Sequence, residues 1–196
     1  MKTDAQRKEI LTHFVNEEYE QIICDKCILT FLTNVYDFDP EHVLLEKRSL
    51  GLEYFCEAIK TLKLTKTPNV DHIGIIDEDG AIIPVRPSKE EIFSGKETDY
   101  RYIYVIEKLV HLEDKDTAFF NKSVKGMDWR DDSERTHILA VVEEQYGKKL
   151  AKEISQLYDF YAQHKNVLAW DLHGDNLMKK IDSGEIVVID PYTRRA

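Results

Sequence analysis

Apolar positions change their period along the chain, and the changes mark out the elements. Ile10, Leu11, Phe14, Val15 and Tyr19 recur at helical spacing, which predicts an amphipathic helix from Asp4 to about Glu20. The period then shortens. Gln21 to Cys24, Ile28 to Tyr36 and His42 to Lys47 are rich in β-branched, aromatic and leucine residues. They are separated by Asp25-Lys26 and by Asp37-Phe38-Asp39-Pro40-Glu41, so they predict a three-stranded antiparallel meander. Leu52, Phe55, Cys56, Ile59 and Leu62 restore a helical stripe that stops before Thr67-Pro68-Asn69. His72 to Ile76 and Tyr100 to Ile106 predict two further strands. Between them lie a turn at Glu78-Asp79-Gly80 and a charged insertion around Pro84 to Thr98.

Lys108 to about Ser133 is expected to be a polar connector. Glu134 to Lys165 is expected to be helical, in two pieces broken near Gly147, and a loop and hairpin close the chain. The pattern as a whole predicts an α+β protein with a five-stranded antiparallel sheet in residues 1–109 and a reduced, helical part in residues 110–196.

Composition narrows the classes. At 196 residues the chain is long enough for one sizeable core or two small lobes, and it reads as soluble and globular. A formal charge of −10 and a pI near 5.2 argue against nucleic acid or an anionic membrane as partner, because both are bound by neutralising phosphates with a basic face. No apolar run approaches a membrane span, and Met1 to Arg7 opens a polar helix with no signal core, so the expected place of action is a cytosol. Cys24 and Cys27 form a CxxC, with Cys56 far away; two strand residues bracketing a turn account for the pair better than a zinc or redox site does.

The segment with candidate chemistry runs from Leu168 to Met178, followed by Val187-Val188-Ile189-Asp190-Pro191-Tyr192. Asp171 stands where a base could accept a hydroxyl proton. Asn176 follows five positions later, and Asp190 comes after a short hairpin, so that the amide and the carboxylate can converge on magnesium bound to a nucleoside triphosphate. A solvent-facing position is expected of Asp190 as a metal ligand, and a solvated turn of Asp182-Ser183-Gly184-Glu185.

With these residues in place, the chain resembles the protein kinase-like superfamily. The helix Tyr158 to Leu168 leading into Asp171 is similar to the one before the kinase catalytic loop, and Ile189-Asp190-Pro191-Tyr192 takes the place of Asp-Phe-Gly. The loop's usual His and Arg are Ala169 and Trp170 here, and its Lys position is His173. The resemblance implies a bilobal fold with a strongly reduced C-lobe and ATP and Mg2+ as cofactors. In it Asp171 and His173 would be catalytic, while Asn176 and Asp190 would hold the metal.

Val43-Leu44-Leu45-Glu46-Lys47 is similar to the strand ending in the phosphate-orienting lysine, and Glu57 resembles the glutamate that pairs with it. Glu53, one turn earlier, is a rival for the same helix face. Glu107 and Leu109 fall at the position of the hinge that meets adenine. In outline the chain is similar to the very short kinases among phage and bacterial effector proteins, which implies a host or partner protein as substrate and a site of action in the cytoplasm, including a host cytosol.

Two departures shape the alternatives. No Gly-rich loop separates the first two expected strands, where Asp25-Lys26-Cys27 stands instead. The chain also ends six residues after Asp190, so the expected enzyme lacks the long C-terminal half of ordinary kinases and has no activation loop. His173-Gly174-Asp175 matches the His-Gly-Asp of small-molecule phosphotransferases, but the position five beyond Asp175 is Lys180, not Asn. A pseudokinase that works by occupying a partner, a small-molecule phosphotransferase and a nucleotidyltransferase are the competing classes. The lost C-terminal cover leads to one more expectation: Leu157, Phe160, Tyr161 and Trp170 either pack on one another or leave an apolar patch for a partner.

Overall fold

The computed structural model describes residues 2–22, 33–48, 50–94 and 99–194. It is an α+β protein whose chain divides into two compact units, Met1–Glu53 with Asn69–Lys108 and Tyr54–Pro68 with Leu109–Ala196. The last crossing falls one residue from the expected boundary at 109, whereas residues 54–68, expected with the first part, group with the second unit.

The first unit opens with α1 (Asp4–Val15). Thr3 and Gln6 form a reciprocal capping box at its start, satisfying N–H groups that no earlier turn can reach. Ile10, Leu11 and Phe14 are buried on one face. The helix stops at Val15 and does not run to Glu20, because Asn16 caps it and Glu17 takes a positive φ of 58° that ends the helical ladder.

Five antiparallel strands follow, β1 (Thr33–Asp37), β2 (His42–Lys47), β3 (Val70–Ile76), β4 (Ile82–Ile83) and β5 (Arg101–Glu107), in the order β1-β2-β5-β3-β4. α1 packs on β3 and β4, and Leu11, Leu44, Ile73 and Ile103 are fully buried in the resulting core.

The strand count matches the sequence pattern, but the membership does not. Gln21 makes only an isolated bridge to Tyr36, and the fifth strand is Ile82–Ile83, brought against Ile75 and Ile76 by the turn at Asp77 to Gly80. The remainder of the expected first strand, the CxxC and the Asp25-Lys26 turn lie outside the described residues. In the expected insertion, α3 (Lys89–Phe93) is capped by Ser88 and Glu91.

α2 (Gly51–Leu62) begins in the first unit and continues in the second. The second unit then contains β6 (Leu109–His111), α4 (Asp114–Ser123), α5 (Asp132–Tyr146), α6 (Lys148–Gln163), β7 (Leu168–Trp170), a 3-10 turn (Gly174–Asn176), β8 (Leu177–Lys180), β9 (Ile186–Val188) and β10 (Tyr192–Arg194). β6, β8 and β9 form one small sheet, and β7 pairs with β10 in another.

α5 and α6 pack together and are broken at Gly147, whose φ of 90° a residue with a side chain rarely adopts. The expected connector from Lys108 to Ser133 is in fact β6 and α4. Charged residues made it read as solvated, yet Asp116 is 5% exposed, accepting from the Tyr146 hydroxyl at 3.0 Å and pairing with Lys179 at 2.9 Å. Among the described residues no helix is long and apolar enough to cross a membrane.

Candidate functional site

Backbone hydrogen bonds of the second unit bring Asp171, Asn176 and Asp190 together. β7 and β10 pair through Trp170 opposite Tyr192, and one residue further on the Asp171 N–H donates to the Pro191 carbonyl at 3.0 Å. The β8–β9 hairpin returns the chain so that the Ile189 N–H donates to the Asn176 carbonyl at 2.9 Å. The Asn176 side chain closes the set, its Nδ2 donating to the Asp171 carbonyl at 2.5 Å. The two segments flanking the acidic turn are thereby tied to the loop at adjacent residues.

Burial then separates the roles these side chains can take. The Asp171 carboxylate is 39% exposed. Asn176 is 1% exposed, and with Nδ2 committed to Asp171 its Oδ1 is buried and makes no hydrogen bond among the described residues. A buried amide oxygen left in that state costs free energy unless water or a ligand completes it. Asp190 is 8% exposed. That corrects the expectation of a solvent-facing carboxylate: Val187, Val188 and Ile189 carry it inward with their strand, all at 1% exposure or less.

His173 lies between two carboxylates, its Nε2 3.8 Å from Asp171 Oδ1 and its Nδ1 3.4 Å from Asp175 Oδ2, with the Asp175 N–H donating to Nδ1 at 3.3 Å. The loop it belongs to is braced from α4. Gly174 donates its N–H to Asn121 Oδ1 at 2.9 Å, and a Cβ at Gly174 would stand 2.7 Å from the Thr117 carbonyl oxygen. Only glycine fits that approach. Asn121 and Thr117 went unnoticed in the sequence because they lie in the segment that reads as connector; the one local signal was the glycine itself.

Lys47 ends β2 at 3% exposure, opposite Thr33 and Tyr102. Its neighbour Glu46 accepts from Asn34 Nδ2 at 2.8 Å and the Tyr36 hydroxyl at 2.9 Å. Burial, together with that carboxylate, pushes the Tyr36 hydroxyl up to about 12. Glu57 is 8% exposed on α2 and accepts from Thr61 Oγ1 at 3.3 Å. Glu107 ends β5 with its Oε2 accepting from Asn69 Nδ2 at 3.0 Å, and Leu109 opens β6 opposite Lys180.

The rival Glu53 is buried outright in the first unit, with His72 and the Tyr104 hydroxyl on Oε1 and Arg86 Nε on Oε2. Its carboxylate is therefore occupied by structural partners.

An aromatic cluster fills the space behind β7. The Trp170 ring lies 5.0 Å from Trp129, 5.4 Å from Tyr158 and 6.1 Å from Tyr192, centroid to centroid. The Tyr192 hydroxyl donates to the Leu157 carbonyl at 2.8 Å, and burial raises its pKa well above the usual tyrosine value. Leu157 and Phe160 are buried, while Tyr161 and Trp170 remain partly exposed. Trp129, which had no assignable role from sequence, is 5% exposed and supplies much of the cover, and Asp131 beside it caps α5 through the Ser133 and Glu134 N–H groups.

Magnesium fits what is present in kind. Among the described residues no three His, Cys, Asp or Glu side chains gather to hold a metal alone. Magnesium in nucleotide sites is commonly held by one or two carboxylates, with water and phosphate oxygens completing the octahedron, and one amide oxygen plus one carboxylate suit that arrangement. No protein-family model matches the chain, and no curated protein matches it.

Proposed function

We propose that this chain is an ATP-dependent phosphotransferase, a minimal serine/threonine-type protein kinase acting on a partner or host protein in the cytoplasm. The observation that carries the proposal is the state of Asn176. Its amide hydrogen holds Asp171 in place, and its buried oxygen is left for a ligand beside the segment that bears Asp190. In this scheme Asp171 orients the acceptor hydroxyl and takes its proton. Asn176 and Asp190 hold magnesium, which neutralises charge on the nucleotide phosphates. His173 contributes a hydrogen-bond donor near the transferring group. Lys47, Glu57, Glu107 and Leu109 are assigned to nucleotide binding on the kinase resemblance. Catalysis of this kind is mostly positioning, so a small set of residues is sufficient.

The test is incubation of the protein and a cell lysate with γ-labelled or α-labelled ATP. Label from the γ position on protein is the expected result. Label from the α position would make the protein a nucleotidyltransferase, and no label from either would leave a binding module.

A further inference from the structure

A cavity of the second unit is lined by Leu168, Ala169 and Trp170, up to but not including Asp171. It is an open cleft of about 870 Å³ beside β7 and α6. Its walls are rings: Tyr158 and Trp129 at 5.3 Å, Tyr158 and Tyr161 at 5.5 Å, and Tyr161 and Trp170 at 6.1 Å, centroid to centroid. Its charge runs against the rest of the chain. Arg130, Arg135 and Lys165 line it against two carboxylates, Asp128 and Asp159, in a protein whose formal charge is −10.

Arg135 is already fixed: its guanidinium lies over the Tyr158 ring at 5.2 Å, with NH1 donating to the Trp129 carbonyl and NH2 to Asp132. It holds the wall. Arg130 is exposed on the turn before α5, and the Asp128 Oδ1 nearby already accepts from the Arg130 N–H.

We infer that this cleft docks a segment of the phosphoacceptor protein, one that presents a bulky apolar or aromatic side chain next to an acidic residue. The identity of the partner as the acceptor rests on the kinase proposal above; the chemistry of the segment rests on the cleft. Rigid Trp and Tyr side chains bury a large area at little conformational cost, and an arginine at their edge favours a carboxylate, so the two features select the two halves of the motif. The cleft is about half open to solvent, which suits a docked peptide segment better than a fully enclosed small molecule. A docking segment of this kind lies outside the residues around the acceptor hydroxyl and raises their local concentration.

The probe is an array of immobilised random peptides incubated with the purified protein in the absence of ATP, so that binding is read independently of turnover. The expected result is enrichment of peptides with a bulky apolar residue within a few positions of Asp or Glu. Tyr161→Ala should weaken binding to them about 10-fold or more, and Arg130→Glu should do likewise and shift selection toward basic peptides, with thermal unfolding unchanged in both. Asp171→Ala should bind as wild type. Enrichment with no transfer of γ-label to any protein would keep the cleft and remove the kinase. Transfer of label with no peptide enriched, or with both cleft variants binding as wild type, would overturn the docking site. Enriched peptides lacking an acidic residue would do so as well.

Discussion

In the first unit Glu53 engages both carboxylate oxygens inside the chain, with His72 and Tyr104 on one and Arg86 on the other. In the second unit, among the described residues, Asn176 engages only its amide hydrogen, and its equally buried oxygen is left without a hydrogen bond. Both residues are at 1% exposure or less, so burial alone does not distinguish them. What distinguishes them is whether the chain itself satisfies the group. A buried carboxylate surrounded by donors is a structural hub, because its desolvation is offset by its own partners. A buried oxygen held in place by its neighbours and left unsatisfied lowers stability unless a ligand completes it. Glu53 and Glu57 look interchangeable by spacing in the sequence and differ in surroundings, Glu57 accepting from Thr61 Oγ1 one turn further along α2.

The largest effect expected from this contrast is on stability in the first unit. Glu53→Ala should destabilise the protein by roughly 3–5 kcal/mol in denaturant unfolding, because it strands His72 and Tyr104 in the core. Arg86, partly exposed, can turn to water and soften the loss. Next in size is Gly174→Ala. Its added Cβ meets the Thr117 backbone at 2.7 Å, and the loop must shift at a cost of about 1–3 kcal/mol, with loss of activity in step. A Gly174→Ala protein as stable and as active as wild type would show that α4 does not brace the loop. Smaller again is the effect of Asp190→Asn on unfolding, which should stay within about 1 kcal/mol, because the change keeps the shape of the side chain. In an isothermal titration the same variant should lose magnesium-dependent ATP binding, the reverse of the pattern for Glu53.

A pH titration sharpens the comparison from the other side. Burial by itself raises the Glu53 pKa, but the hydrogen bond from His72 and the charges of His72 and Arg86 outweigh it and hold the carboxyl below its ordinary value of 4.5. A folded-state pKa lowered in this way gives stability that is present above about pH 4.5 and is lost as the pH falls further, through the folded value. The Glu53→Ala variant should show a shallower acid limb over that range, measured as unfolding free energy against pH.

Much of this was legible in the sequence, for physical reasons that also explain the gaps. Helical spacing of apolar residues placed α1 and α2, and runs of β-branched, aromatic and leucine residues placed β2, β3 and β5, whose consecutive residues are buried on both faces. The connector was misread because its buried residues include Asp116, and a carboxylate satisfied by Tyr146 and Lys179 looks like a solvated one until its partners are known. At the candidate site, the spacing of Asp171, Asn176 and Asp190 marked residues that the fold does bring together. The burial of Asp190 and the brace from Asn121 were not legible, since both depend on pairings between β8 and β9 and on contacts between α4 and the loop. Trp129 had no role assignable from sequence for the same reason, its partners Tyr158 and Trp170 being far along the chain.

The most direct test of the division of labour at the loop is the rate of γ-phosphoryl transfer by Asp171→Ala at saturating magnesium and ATP, measured against wild type. If Asp171 orients the hydroxyl and accepts its proton while Asn176 and Asp190 hold the metal, the rate should fall by about 10²-fold or more with nucleotide binding retained. A variant that transfers within a few-fold of the wild-type rate would contradict the account.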